Sequence, residues 1–338
     1  MSAENTQTLT RQDFVSDQDV RWCPGCGDYA ILSQVQKLFP TLGIPKENFL
    51  IVSGIGCSSR FPYYMDTYGF HSIHGRAPAL ASGAKLANPN LSVWVVTGDG
   101  DSMSIGGNHF IHVMRRNIDM NILMFNNRIY GLTKGQYSPT SELGKVTKST
   151  PMGSLDYPFN PPQLALGASG TFIARTIDRE QKHMGLVLKE ANNHKGTSFV
   201  EIYQNCNIFN DGAFSELTDK GTKAETQLVL EHGKPMIFGA DNDKGLILDG
   251  SNFKIVKLGK DISADDILIH DREDKNLAML LSEITYIPEL PVPIGILYQE
   301  SKPTYDKMMT DQIQEAKKSV GSGDLEKLFF GTNSWIVE

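Results

Sequence analysis

The sequence predicts an α/β protein: a mostly parallel sheet with helices on both faces, followed by a C-terminal α+β extension. Three observations carry this reading. Between Asn48 and Gln204, short apolar runs rich in β-branched residues alternate with segments of helical period. Those runs are apolar throughout, the pattern of strands covered on both sides. After Gln204 the rhythm changes to short strand-like runs with tight turns and then to helical stretches.

The candidate strands, in order, are Phe49–Val52, Ser92–Thr97, Met120–Phe125, Phe172–Arg175 and Ser198–Tyr203. Between them, Arg76–Ala87 is small and alanine-rich, Gly107–Arg116 repeats Phe110, Val113 and Met114, and Arg179–Asn192 sets Met184, Leu186, Val187 and Leu188 among charged neighbours. Residues Thr133–Pro162 hold five prolines and no clear period. A long irregular stretch within such a domain is usually functional or partly disordered. Beyond it, Lys234–Gly259 reads as a β-meander with turns at Asp241–Asp243 and Asp249-Gly250, and Lys275–Ile284 and Lys307–Ser319 read as helices. The expected division is a domain over residues 1–215 and an extension over 216–338.

Composition narrows the function. The 338 residues carry a net charge of −7, which argues against nonspecific nucleic-acid binding. No apolar run reaches the roughly 20 residues a membrane helix needs, and the polar stretch Ser2–Gln18 is unlike a signal peptide. The expectation is a cytoplasmic protein with neither nucleic acid nor membrane as partner. The four cysteines, Cys23, Cys26, Cys57 and Cys206, include one C-x-x-C. In a reducing compartment that spacing points to metal or redox chemistry, against the plain reading of buried thiols beside a chance C-x-x-C.

The segment Val95–Asn127 is the most informative. One strand ends at Thr97 and opens into Gly98-Asp99-Gly100-Asp101; another ends at Asn126-Asn127. The 25 residues between Gly100 and Asn126 are about one helix plus one strand, which brings both turns to one sheet edge. Mg²⁺ wants hard oxygen ligands and is shared between a carboxylate and substrate phosphates. Asp99 offers the charge, Asn127 a neutral oxygen, and a following backbone carbonyl a third. Gly98 and Gly100 let backbone approach phosphate oxygens, and the helix after Asp101 adds a favourable dipole. The pattern resembles the thiamine-diphosphate motif; the plain alternative is a pair of turns.

Residues 126–138, Asn-Asn-Arg-Ile-Tyr-Gly-Leu-Thr-Lys-Gly-Gln-Tyr-Ser, with Trp22-Cys23-Pro24-Gly25-Cys26-Gly27, Ser53-Gly54-Ile55-Gly56-Cys57-Ser58 and His74-Gly75-Arg76-Ala77, together resemble the β subunit of 2-oxoacid:ferredoxin oxidoreductases, over roughly residues 20–215. The resemblance implies a thiamine-diphosphate-binding fold and coenzyme-A-dependent oxidative decarboxylation of a 2-oxoacid, with ferredoxin or flavodoxin accepting the electrons. It implies Mg²⁺ on Asp99, Asn127 and the Ile129 carbonyl. The thiamine diphosphate would be held by Ile55, Gly56, Cys57, Ser58, Gly100, Asp101, Gly131 and Leu132. His74 and Lys134 would stand near the reacting end, against the plain readings of a satisfied histidine and a solvated lysine. One 4Fe–4S cluster would sit on Cys23, Cys26, Cys57 and Cys206. Four thiolates also suit zinc, but zinc ribbons usually supply two C-x-x-C knuckles and this chain has one.

In this family the carboxylate that activates the thiamine comes from the α subunit, so the chain is expected to be half an active site. Its loops Gly54–Ser58 and Gly131–Gly135 would then face the partner. The C-terminal extension and overall sequence look most like the branch that uses 2-oxoglutarate; pyruvate or broad 2-oxoacid use stays open. The rivals are a thiamine decarboxylase or synthase without redox chemistry and a non-catalytic zinc-stapled scaffold.

Overall fold

The five apolar runs are strands, each within two residues of its expected limits, in a computed structural model that describes residues 9–259 and 262–337. In chain order the strands are β1 (Phe49–Ser53), β2 (Tyr68–His71), β3 (Ser92–Gly98), β4 (Met120–Asn126), β5 (Phe172–Ile177), β6 (Thr197–Tyr203), β7 (Gln227–Leu230), β8 (Ile237–Phe238), β9 (Lys244–Asp249), β10 (Asn252–Lys257) and β11 (Val292–Gln299). Eight of them form one sheet in the order β2-β1-β3-β4-β6-β5-β11-β7. Every pairing in it is parallel except β11 with β5. The stretch read as a β-meander is a separate antiparallel sheet, β10-β9-β8.

Successive strand residues point to opposite faces, and both faces are packed. Phe49, Ile51, Trp94, Val96, Leu123 and Phe125 meet the helices Asp28–Leu38 and Gln181–Asn193 through Ile31, Val35, Met184 and Leu188. Leu50, Val52, Val93, Val95, Ile122 and Met124 meet the helices Ala77–Ala87, Gly107–Arg116 and Lys275–Glu283 through Ala81, Phe110, Met114 and Leu281. This two-sided packing explains why the runs lack alternation.

Residues beyond 215 join the same sheet as β7 and β11. A buried ion pair ties them in. Arg175 Nε donates to Glu201 Oε2 at 2.7 Å, and its Nη1 donates to Thr285 Oγ1 at 2.7 Å and the Pro293 carbonyl at 3.3 Å. The chain then leaves the body through the largely exposed helices Tyr305–Val320 and Leu325–Phe330.

Because β1, β3, β4 and β6 are adjacent and parallel, their carboxyl ends lie in a row. That edge carries Gly54–Ser58, Asp99–Asp101, Asn127–Lys134 and Gln204–Cys206.

Candidate active site

At the end of β3, Asp99 opens a five-residue helix and is buried, 3% exposed. Burial raises its carboxyl pKa. Two hydroxyls from the irregular segment reach its Oδ2: Ser138 Oγ donates to it, and Thr140 Oγ1 lies 2.6 Å away. The Thr140 hydroxyl is also 2.9 Å from Asn126 Oδ1, and Asn126 Nδ2 donates to Glu201 Oε1 at 2.7 Å. A polar chain thus runs from Asp99 through the sheet to the Arg175–Glu201 pair. The stretch without a period is the segment that closes over Asp99.

Asp99, Asn127 and Ile129 line one cavity of about 120 Å³, together with Ile55, Gly56, Cys57, Ser58, His74, Gly100, Asp101, Gly131 and Leu132. A buried carboxylate, an amide oxygen and a backbone carbonyl on one cavity are the hard donors Mg²⁺ takes. Gly100 packs under Tyr130, whose hydroxyl donates to the Gly100 carbonyl at 3.0 Å; a Cβ at position 100 would stand 2.1 Å from the Tyr130 ring.

Asp101 behaves differently from Asp99. Its Oδ1 accepts from the Ile55 N–H at 3.1 Å and the Gly75 N–H at 2.7 Å, and its Oδ2 accepts from Thr97 Oγ1 at 2.7 Å. His74 Nε2 is 3.6 Å from the same Oδ1. The Asp101 side chain is therefore committed to the loops, binding the end of β1, the turn before helix Ala77–Ala87 and β3 together. Only its backbone is left for an anionic ligand. Lys134 does not reach this cavity; it lines the neighbouring one.

That second cavity, about 220 Å³, is lined by Cys23, Cys26, Cys57 and Cys206. The segment carrying Cys206 clasps the segment carrying the C-x-x-C. Gly27 N–H donates to the Asn205 carbonyl at 3.1 Å, Asn207 Nδ2 to the Pro24 carbonyl at 2.6 Å, and Gln204 Nε2 to Cys26 Sγ at 3.2 Å. Trp22 Nε1 pins the Cys57 carbonyl at 2.7 Å. Burial, and then the negative charge of Asp28, push the Cys57 thiol up to about 12 and the Cys26 thiol up as well. Thiolates here need a bound cation to offset that burial. Among the described residues, no three His, Cys, Asp or Glu side chains converge on a single-ion position. Four thiols around one cavity suit an iron–sulfur cluster or zinc.

Asp28, Cys57, Asn127, Gly131 and Leu132 line both cavities. A Cβ on Gly131 would stand 3.6 Å from the sulfurs of both Cys57 and Cys206. Asn127 Nδ2 donates to Gln204 Oε1 at 2.9 Å, which continues to Cys26. The sequence reading missed Asp28, Gln204 and Thr140, and gave Ser138, the last residue of the 126–138 motif, no role. Asp28 and Gln204 each stand two residues from a cysteine already singled out, a proximity that was available.

Residues 54–202 match the family model described as thiamine pyrophosphate enzyme, C-terminal TPP binding domain. The chain is 52% identical over 331 residues to 2-oxoglutarate oxidoreductase subunit KorB of Mycobacterium tuberculosis, covering 97% of this chain and 88% of that one. It is 36% identical over 296 residues to the 2-oxoacid:ferredoxin oxidoreductase subunit beta of Saccharolobus solfataricus, 86% of each. Among solved structures, the 2-oxoglutarate:ferredoxin oxidoreductase from Magnetococcus marinus with 2-oxoglutarate, coenzyme A and succinyl-CoA bound matches with a TM-score of 0.77 at 32% identity, over 97% of this chain and 98% of that one.

Proposed function

The chain belongs to the β subunits of the 2-oxoacid:ferredoxin oxidoreductases, and from that premise we propose that it is the thiamine-diphosphate half of an enzyme converting 2-oxoglutarate and coenzyme A to succinyl-CoA and CO₂, with two electrons leaving through one 4Fe–4S cluster to ferredoxin. The observation that carries this reading is the common wall of the two cavities at the carboxyl edge of the sheet. A redox enzyme that moves electrons from a cofactor to a cluster needs the two side by side, and a decarboxylase or a scaffold does not.

When bound, thiamine diphosphate supplies the electron sink for decarboxylation. The residues supply the rest. Asp99, Asn127 and the Ile129 carbonyl hold Mg²⁺, with Ser138 and Thr140 fixing the Asp99 carboxylate. Ile55–Ser58, Gly100, Gly131 and Leu132 form the backbone cradle of the cofactor, and Asp101 keeps its two loops in register. His74 stands at the cofactor cavity, while Lys134 lines the cysteine cavity instead. The α subunit partners this chain along the exposed edge of β2, where Tyr63, Tyr68, Phe70 and Ile73 are each more than half exposed beside the cofactor loops. Such a surface suits an obligate interface.

The test is a purified αβ complex assayed with 2-oxoglutarate, pyruvate and 2-oxobutyrate, alongside iron and labile-sulfide analysis. Coenzyme-A-dependent ferredoxin reduction with 2-oxoglutarate as the preferred acid and about four irons per β chain is the expected result. A preference for pyruvate would reassign the substrate. Zinc in place of iron would overturn the redox function.

A further inference from the structure

Arg128 separates the two turn residues assigned to Mg²⁺, Asn127 and Ile129, and its φ of 55° lies in the left-handed region that residues other than glycine adopt rarely. The turn is held on both sides. On the cavity side, the Ile129 N–H donates to Asn127 Oδ1 at 3.1 Å, so the two ligand positions are bonded to each other. Behind the turn, the Arg128 guanidinium lies 4.7 Å from the centre of the Phe214 ring, and Ser141 Oγ donates to the Arg128 carbonyl at 2.7 Å. Asn210 Nδ2 reaches two successive carbonyls there, Asn127 at 2.9 Å and Arg128 at 3.4 Å. Asn210 is 8% exposed and lines neither cavity.

The orientation of that amide is fixed by its neighbours. Asn210 Oδ1 accepts from Lys145 Nζ at 2.6 Å. An ammonium only donates and a carbonyl only accepts, so the oxygen must face Lys145 and the nitrogen the turn. The positive charge also polarises the amide and strengthens the bonds it gives. The Asn210 backbone is anchored independently, its N–H donating to the Cys206 carbonyl at 3.0 Å. Resting on the functional reading above, we propose that Asn210 is a positioning residue for Mg²⁺: its amide holds the Asn127 and Arg128 carbonyls behind the turn, so that the Asn127 side chain and the Ile129 carbonyl meet the ion already in place. It touches neither ion nor cofactor and acts through the shape of the turn.

The experiment uses the αβ complex stripped of thiamine diphosphate and divalent metal, and equilibrium dialysis follows thiamine diphosphate retention as Mg²⁺ is raised. Asn210→Asp keeps the shape and the Lys145 contact but removes the donor. Its added negative charge by itself favours a nearby cation, so weaker metal binding runs against the charge and reports the lost donor. The variant is expected to need about 10- to 100-fold more Mg²⁺ for half retention, the range for groups that orient metal ligands. At saturating Mg²⁺ it is expected to retain as much thiamine diphosphate per chain as wild type, with the same iron content. An unchanged Mg²⁺ requirement overturns the assignment. So does retention that excess Mg²⁺ leaves below wild type, which marks a general loss of fold in place of a misplaced ligand. If Asn210→Asp does not assemble, Asn210→Ala, which removes the donor without adding charge, is read by the same two criteria. Wild type whose retention ignores Mg²⁺ would overturn the metal reading of Asp99 and Asn127 itself, a separate result from either.

Discussion

Asp99 and Asp101, two residues apart, show how far environment separates identical side chains. Asp99 faces the cavity with two hydroxyls on one oxygen, while Asp101 is spent on two backbone N–H groups and a threonine. Asp99→Ala removes the only charged ligand proposed for Mg²⁺ and is expected to abolish Mg²⁺-dependent retention of thiamine diphosphate, measured by calorimetry. Unchanged affinity would take Asp99 out of that role. His194 makes a second, unrelated prediction. Its Nε2 lies 2.8 Å from Thr171 Oγ1, and burial lowers its pKa from 6.5 to about 4. The unfolded chain therefore takes up this proton below about pH 6.5 and the folded chain only near pH 4. Its contribution to stability is complete above that window and is lost as pH falls through it, by at most about 1.4 kcal/mol per pH unit. Denaturation midpoints at pH 7 and pH 5 are expected to fall together less steeply in His194→Gln than in wild type.

At the scale of elements, what could be read from the sequence follows from what each strand faces. The five central strands are apolar on both sides and were legible to within two residues. The three others were not. β2 is exposed along its whole length and reads Tyr-Gly-Phe-His; β7 has four residues; β11 carries Pro293 and Gly295 inside it and shifts register between Ile296 and Tyr298. Proline and glycine argue against a strand unless a neighbour tolerates them. The site was more legible than the sheet edges because its loops follow the central strands, whereas Ser138 and Thr140 sit in a stretch with no period to place them. The clasp between the C-x-x-C and Cys206 depends on close approach: a Cβ on Gly27 would stand 1.9 Å from Asp178 Oδ2 and 2.9 Å from Gln204 Cγ. Gly27→Ala is expected to part the two segments and lower iron and labile sulfide per chain by at least about half, an estimate resting on the need for all four thiolates. A full iron count in the variant would show that the clasp is dispensable.

For the whole molecule, the sheet does not stop where the thiamine-type signature does. β7 and β11 extend it, and Leu277, Ala278, Leu281, Ile284 and Leu297 complete the core on one face. Each larger apolar side chain among these contributes about 1.5–3 kcal/mol by burial, and the total is comparable to the roughly 5–15 kcal/mol that holds a domain folded. Ending the chain at residue 215 also strips Arg175 of Thr285 and the Pro293 carbonyl while leaving it against Glu201. A 1–215 fragment is expected to be degraded rapidly under limited proteolysis and to show no cooperative unfolding transition. A stable fragment would make the extension an accessory.

The wall that Cys57 and Gly131 raise between the two cavities also ties the chemistry of one side to the shape of the other. Cysteine sulfur is oxidised to the extent that it is exposed and ionised, and the half-buried Cys57 stands in the same five-residue loop as Ile55, Gly56 and Ser58. A change at that sulfur is therefore expected to disturb the loop proposed to hold thiamine diphosphate. Activity lost to oxidation at Cys57 is thus expected not to return when thiamine diphosphate alone is added, which assays of an air-exposed αβ complex with and without the cofactor would check.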